Sequence, residues 1–318
     1  MIDLTIGRRL FRSSPRWKRV KILVVGTGGV GGYFGARLAE HGHDVTFVAT
    51  PRSAEVLRKN GLKVFSPKGD LFLQVKVTDS FGEKADLIIL TVKSQHLETA
   101  IVGMETSMHE GTLILPLLNG VYATRFLRDR FGERVLGGFC KVISFKETTG
   151  VIRHLGSGIV ELGEIEGGLT ERVEKVGGLF TTSGIETRLH DDFRTAQWEK
   201  LILIGPLGAV GSVTRATFGE MRAIPEVRSL IREVFLETTA VARSQGARVE
   251  DSLADRYLQW VDNLPSDGTT SLQRDIIGGI PSELDYLVGD VIRLGEAPIL
   301  ETLYVALLPQ EIRARGNQ

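Results

Sequence analysis

The 318-residue chain lacks several features that would assign it to a large class of protein. It has one cysteine, Cys140, which excludes an internal disulfide and is typical of a reducing compartment such as the cytoplasm. Its six histidines show no spacing typical of metal ligands, so we expect no metal site. No apolar run approaches the roughly 20 residues of a membrane-spanning helix. A formal net charge of zero indicates neither a nucleic-acid nor a membrane-surface partner.

The first 19 residues are rich in arginine and contain a single acidic residue, Asp3. An Arg-rich, acid-poor leader is typical of an organelle transit peptide. A basic extension without structure, or a start codon assigned too far upstream, explains the composition equally well. The first apolar strand pattern begins only at Val20, so residues 1–19 are interpreted as a basic N-terminal extension outside the fold.

The most informative segment is a glycine-rich turn between an apolar strand pattern, Ile22–Val25, and a helical pattern. A second apolar strand pattern follows, and in this context a G-x-G-x-x-G motif indicates dinucleotide binding. Gly26 permits the tight turn, Gly28 lets the backbone approach a pyrophosphate, and Gly31 lets the helix pack on the strand. The free N–H groups at the helix start bind the phosphates. The alternative is a glycine-rich turn that only packs. The residues expected to bind the cofactor here are Gly26, Thr27, Gly28, Gly29, Val30 and Gly31.

The end of the second apolar strand favours NADP(H) over NAD(H). An NAD-binding unit usually places an acidic residue there, which accepts a hydrogen bond from the ribose 2′-hydroxyl. This strand is followed by Thr50, Pro51 and Arg52, without a carboxylate. An arginine suits a 2′-phosphate, so Arg52 is predicted to bind it. The alternative is that Arg52 is an ordinary solvated loop residue.

Strand and helix patterns alternate from residue 20 to about residue 190. This order is typical of a Rossmann-type α/β domain with a doubly wound parallel sheet. The segments Asp86–Val92 and Gly111–Leu118 are almost continuously apolar, as in a sheet covered on both faces. Alternation around Pro67–Asp70 indicates a hairpin. From residue 191 onward only helical periodicity is strong. The sequence therefore predicts an NADP-binding domain at 20–190 and an all-helical substrate-binding and catalytic domain at 191–318.

A substrate in the cleft between two such domains would need a proton donor if hydride were transferred to a carbonyl. Lys200 lies just past the predicted boundary, although an exposed lysine on an amphipathic helix would give the same pattern. Asn119, before Gly120, ends a buried strand. An Asn-Gly pair is a strong turn signal, whereas the carboxyl end of a strand is where ligands bind in such sheets.

Two further candidates lie in the helical half. Glu283 is one candidate, but Ser282 and Asp285 beside it have the spacing of a capping box, and the helix dipole alone would then explain a carboxylate there. Ser271 could bind a substrate or serve only as a helix cap.

Read together, these residues resemble the ketopantoate reductase family. The resemblance extends from Lys21 to about Arg315 and keeps the order of six motifs. Besides the glycine turn, they are Val92-Lys93, Leu118-Asn119-Gly120, Trp198-Glu199-Lys200, Ser271 to Asp275, and Ser282 to Asp285.

Members of this family use NADPH to reduce 2-dehydropantoate to pantoate in pantothenate biosynthesis. The resemblance implies that Lys200 is the general acid and that Glu283 orients both the substrate and Lys200. The carboxylate of Glu283 would also keep the neighbouring lysine charged. It further implies that Ser271 binds the substrate carboxylate, that Asn119 lies near substrate and nicotinamide, and that Lys93 lies by the cofactor phosphate or ribose. The implied partner is a small 2-oxoacid, and the protein is expected to be a monomer or homodimer.

The chain departs from the family pattern in the predicted substrate pocket. Four and eight residues after Lys200, where the family commonly has asparagine, stand Ile204 and Gly208. Such a pocket would be more apolar or roomier, so a different branched or larger 2-oxoacid remains an alternative substrate.

The remaining departures lie on the cofactor side. Thr50 replaces the arginine usual at the strand end, with Arg52 two residues later. His96 replaces a glutamine three residues after Lys93, although Gln95 is adjacent. A non-catalytic NADP-binding sensor is a third alternative, but a sensor has no need of the proposed acid and its carboxylate.

Overall fold

The computed structural model describes residues 20–316, so the basic N-terminal extension lies outside the described residues. The strands of this part are β1 (Lys21–Val25), β2 (Asp44–Val48), β3 (Leu62–Phe65), β4 (Leu71–Leu73), β5 (Lys76–Thr78), β6 (Ala85–Leu90), β7 (Met108–Pro116), β8 (Gly137–Thr148), β9 (Val151–Gly163) and β10 (Glu186–His190). The helices are α1 (Gly29–Glu40), α2 (Pro51–Asn60), α3 (Leu97–Ala100), α4 (Tyr122–Phe131), α5 (Glu171–Thr182), α6 (Phe193–Thr214), α7 (Phe218–Ala223), α8 (Pro225–Ser244), α9 (Leu253–Asp262), α10 (Ser271–Ile277), α11 (Asp290–Leu294) and α12 (Pro298–Gly316).

A five-stranded parallel sheet with the order β5-β2-β1-β6-β7 forms the centre of the N-terminal half. Successive side chains of a strand point to opposite faces. On β1, Ile22 and Val24 enter one hydrophobic core, and Leu23 and Val25 enter another. Both faces of the sheet are therefore covered, which explains the continuous apolar strand patterns.

A second, mixed sheet covers one side of this half. It has the order β10-β9-β3-β4, and the long strand β8 pairs antiparallel with β9. The hairpin predicted around Pro67–Asp70 is present as β3 and β4, with Gly69 at a φ of +99°, and it belongs to this second sheet. The strand patterns alone did not indicate that these strands leave the parallel sheet.

Residues 191–316 contain helices and connecting loops but no strand. Helix α6 lies at the centre of this half, and α8, α10 and α12 pack around it. The predicted fold class, a Rossmann-type parallel sheet followed by a helical region, is confirmed. None of the helices within residues 20–316 is long and apolar enough to cross a bilayer.

Candidate active site

The glycine turn after β1 is tight at Gly26, Gly29 and Gly31 and open at Gly28. Gly26 has a φ of +105°, which favours glycine. A Cβ on Gly31 would overlap the carbonyl oxygen of Gly26, and one on Gly29 would overlap that of Ser144. In contrast, a Cβ on Gly28 would meet no atom within 4 Å. The turn is therefore closely packed except at Gly28, where the backbone is open to a ligand.

This turn suits the pyrophosphate of a dinucleotide. Helix α1 begins at Gly29, and its first turn has neither a capping side chain nor an acidic residue, so its positive end is open to an anion. Strand β1 pairs with β2 on one side and with β6 on the other, and ligands of open α/β sheets bind at such a switch point. Thr27 and Val30 are half-buried in the turn.

The residues predicted to select NADP(H) lie at the start of α2. Thr50 caps this helix by accepting a hydrogen bond from the N–H of Ser53 at 3.4 Å. Arg52 is exposed in the first turn and forms no ion pair within residues 20–316. Its guanidinium is therefore available for a ligand.

Lys200, on the second turn of α6, is half-buried rather than an exposed surface lysine. Its ammonium donates to Asn119 Oδ1 at 2.7 Å and to the carbonyl oxygen of Cys140 at 2.6 Å. It also lies over the ring of Phe139, 5.0 Å from the centroid. Burial lowers the pKa of Lys200. The amine is thus held by two neutral oxygens, and its burial disfavours the charged form.

Glu283 reaches Lys200 through Asn119. Asn119 Nδ2 donates to Glu283 Oε2 at 3.4 Å, while its Oδ1 accepts from Lys200. Lys200 forms no salt bridge with any residue in the described part of the chain. The neighbouring carboxylate that the sequence led us to expect therefore does not bind the lysine directly, but the three predicted residues do lie in one hydrogen-bonded line.

Ser94 belongs to this cluster and was missed by the sequence analysis. Its N–H and its Oγ donate to Glu283 Oε1 at 3.2 and 3.0 Å. The adjacent Lys93 forms an ion pair with Asp275 at 2.8 Å, and Gln95 Nε2 donates to the carbonyl oxygen of Pro281 at 3.4 Å. The loop after β6 thus contacts the helical half at three consecutive residues. Its position after a strand end was the only signal for Ser94 in the sequence.

Ser271 is the first residue of α10 and is exposed, and its side chain forms no hydrogen bond within residues 20–316. The cap of this helix is Thr270, whose side chain accepts from the N–H of Gln273 at 3.1 Å. The suggestion that Ser271 is only a cap was therefore wrong. Residues four apart share a helix face, so Ser271 lies on the same side of α10 as Asp275, which binds Lys93 across the cleft.

The capping box suggested at Ser282 and Asp285 was also wrong. Ser282 Oγ accepts from the N–H of Leu284 at 3.1 Å and donates to the buried Glu311 at 2.6 Å. The Asp285 carboxylate binds Arg293 at 2.9 Å instead of returning to the Ser282 backbone. Helix capping therefore does not account for the carboxylate of Glu283, which binds Ser94 and Asn119 instead.

Ile204 and Gly208 follow Lys200 on the same face of α6, since they are four and eight residues further on. A Cβ on Gly208 would lie 2.9 Å from Leu272 Cδ2, so this position is filled by a leucine of α10. Ile204 is half-buried and packs on the core of the helical half. The wall beside Lys200 is therefore apolar, as predicted, but it is not roomier at Gly208.

A charged cluster lies beside the Phe139 ring. Lys141 Nζ is 5.9 Å from the ring centroid and 2.7 Å from Glu161, which also accepts from His190 at 2.7 Å. Although burial opposes it, these two partners lower the pKa of the Glu161 carboxyl to about 2. Lys141 thus places a second positive charge near Lys200. No group of residues within 20–316 has the arrangement of a metal site.

A glycine turn of the dinucleotide-binding type, together with a half-buried lysine of the helical half that binds Asn119 and the carbonyl of Cys140, is typical of a nucleotide-dependent oxidoreductase. Residues 22–167 match the family described as ketopantoate reductase PanE/ApbA, and residues 192–315 match its C-terminal domain. The chain belongs to the ketopantoate reductase family.

Several known proteins resemble the chain over nearly its whole length. Uncharacterized oxidoreductase YkpB of Bacillus subtilis (strain 168) is 31% identical over 297 residues, which cover 91% of this chain and 98% of that protein. A 2-dehydropantoate 2-reductase of Nostoc sp. is 28% identical over 312 residues, covering 94% and 97%. The crystal structure of a 2-dehydropantoate 2-reductase from Geobacter metallireducens GS-15 has a TM-score of 0.84 and 31% identity, covering 92% of this chain and 99% of the other.

Proposed function

We propose that this protein is an NADPH-dependent reductase that converts 2-dehydropantoate to pantoate. The observation that carries the proposal is the half-buried ammonium of Lys200, held by Asn119 and the carbonyl of Cys140. A lysine with a lowered pKa is a suitable general acid for the oxygen of a reduced carbonyl. The relatives named 2-dehydropantoate 2-reductases support this choice of substrate.

The cofactor would be held by the glycine turn, where Gly28 leaves open space and α1 presents its positive end. Bound NADPH would supply the hydride for the keto carbon of the substrate. Arg52 would bind the 2′-phosphate, and Lys93 would lie by the phosphate or ribose. In this assignment residues 20–190 bind the cofactor, and residues 191–318 provide most of the substrate site.

The remaining residues have separate roles. Lys200 protonates the new alkoxide oxygen, and Asn119 orients the ammonium by accepting a hydrogen bond from it. Glu283 orients Asn119 and the substrate. Ser271, on the cleft side of α10, donates to the substrate carboxylate.

The test follows NADPH absorbance with purified protein and a panel of 2-oxoacids that includes 2-dehydropantoate. Oxidation with 2-dehydropantoate that is abolished in Lys200→Met supports both the reaction and the substrate. Oxidation only with other 2-oxoacids would keep the chemistry and reject this substrate. No oxidation with any of them, while NADPH still binds, would contradict the proposal.

Cofactor preference is tested separately by Arg52→Gln. Loss of the guanidinium should weaken NADPH binding and leave NADH binding unchanged, because only NADPH carries the 2′-phosphate. The exposed Arg58 lies on the same helix as Arg52, 3.7 Å from Asp79 of a neighbouring loop, and provides the control Arg58→Gln. An equal loss of affinity for NADPH and NADH would show that Arg52 does not bind the 2′-phosphate.

A second candidate substrate is a 2-oxoacid with an apolar side chain. It is favoured by Ile204 and by Leu272, which fills the place beside Gly208. This wall offers no hydrogen-bond partner for the hydroxyl of 2-dehydropantoate, and a buried hydroxyl without a partner is costly. The single change Ile204→Asn should then raise kcat/KM for 2-dehydropantoate and lower it for an unsubstituted branched 2-oxoacid. An unchanged ratio between the two substrates would contradict this candidate.

A further inference from the structure

Three consecutive residues after β6 reach the helical half, and the middle one, Ser94, contacts the carboxylate of Glu283. Both the backbone N–H and the hydroxyl of Ser94 donate to the same oxygen, Oε1, at 3.2 and 3.0 Å. Ser94 is only 1% exposed. We propose that Ser94 is a positioning residue that fixes the direction of the Glu283 carboxylate, and this inference rests on the function proposed above.

The two oxygens of Glu283 have different partners. Oε1 is bound by Ser94, whereas Oε2 accepts from Asn119 at 3.4 Å. The hydrogen bond from Asn119 is long, so by itself it restrains the carboxylate weakly. Two donors on Oε1 therefore set the rotation of the carboxylate. A line of hydrogen bonds runs from Ser94 through Glu283 and Asn119 to Lys200.

The residues on either side of Ser94 bind other residues of the helical half. Lys93 binds Asp275 at 2.8 Å, and Gln95 donates to the carbonyl of Pro281 at 3.4 Å. These contacts fix the spacing of the two loops, but neither touches Glu283. Any residue except proline would supply the N–H at position 94, whereas the second donor is the hydroxyl of the serine side chain. The side chain of Ser94 is therefore the specific element of the arrangement.

The variant Ser94→Ala removes one oxygen atom from a buried position and retains the backbone donor. We expect kcat/KM for the 2-oxoacid to fall about tenfold, the lower end of the effect of losing a hydrogen bond to a charged group. NADPH affinity should be unchanged, because the glycine turn does not involve Ser94. Thr99→Ala is the matched control, since its hydroxyl lies nearby but binds only the carbonyl of His96 at 3.0 Å.

A double-mutant cycle distinguishes positioning from a general structural role. If Ser94 acts through Glu283, Ser94→Ala should cause no further loss in a Glu283→Gln background. Equal losses in both backgrounds, or wild-type kcat/KM for Ser94→Ala, would overturn the inference. If the alanine variant does not fold, Ser94→Thr and Ser94→Val give the same test, because valine has a methyl group where threonine has its hydroxyl. The threonine variant should be more active. Equal activity of the two variants would overturn the inference.

Failure of the proposed function is recognised separately. In that case the wild-type protein itself would not oxidise NADPH with any of the 2-oxoacids tested. This result would overturn both proposals. An active wild type with an additive cycle would overturn only the role of Ser94.

Discussion

Lys200→Met removes the ammonium of the proposed general acid and retains an apolar side chain of similar length. The ammonium donates to Asn119 Oδ1 and to the carbonyl of Cys140 at 2.7 and 2.6 Å, so its position in the cleft is fixed. Positioned general acids contribute about a hundred- to ten-thousandfold to the rate, and we expect kcat to fall by that factor. Steady-state NADPH oxidation with the preferred 2-oxoacid measures this loss.

The same substitution should leave folding and cofactor binding nearly intact. Methionine leaves two acceptors without a partner, at a cost of about 1–3 kcal/mol each. It also removes the cost of burying a charge, which opposes that loss. Thermal unfolding and NADPH fluorescence titration check both properties. The control is Lys63→Met, because Lys63 is exposed on β3.

Two results would refute the role of Lys200. A kcat close to that of the wild type, with NADPH bound, would mean that another group supplies the proton. Loss of NADPH binding together with a much lower melting temperature would mean that the residue is structural. Only a fall in kcat with cofactor affinity retained agrees with an acid.

Three further predictions follow from the geometry. Burial, aided by the charge of Lys141, lowers the pKa of Lys200. Since a general acid must be protonated, kcat should fall as the pH rises, and the fall should occur at a lower pH than the pKa of an ordinary lysine would give. Lys141→Met removes a like charge, so the alkaline limb of the kcat–pH profile should move to higher pH, and an unmoved limb would contradict the assignment. A Cβ on Gly31 would overlap the backbone, so Gly31→Ala should disrupt the turn and abolish NADPH binding. A Cβ on Gly28 would meet no atom, so Gly28→Ala should fold normally and only weaken NADPH binding. NADPH titration and thermal unfolding test this pair. Burial raises the pKa of the Cys140 thiol to about 11, so mass spectrometry should find it unalkylated by iodoacetamide at neutral pH until the protein is unfolded.

The parallel sheet was predictable because its signals are local. Strands β1, β6 and β7 are short apolar runs that end in turn or loop signals, and α1 follows a glycine motif. The second sheet was not predictable in the same way. Strand β8 leaves Ile143 and Phe145 exposed and pairs with β9 through three register shifts, so its sequence lacks a clean alternation. Its position depends on pairing between segments distant in the chain.

The candidate site was predictable only in part. Lys200, Asn119 and Glu283 were identified through the resemblance to the family, and the structure brings them together. The carbonyl of Cys140 was not identified, since a backbone oxygen has no sequence signal. Ser94 was missed because its role depends on two loops meeting across the cleft.

The indirect contact between Glu283 and Lys200 bears on how the acid would work. A carboxylate bonded directly to the ammonium would stabilise the charged form and raise the pKa of the lysine, which would make it a poorer proton donor. Asn119 instead accepts from Lys200 with a neutral oxygen and donates to Glu283 with its amide nitrogen. The carboxylate can therefore orient the lysine while adding little to the stability of its charge. Desolvation therefore outweighs the charge of Glu283, and the pKa of Lys200 is lowered although a carboxylate is near.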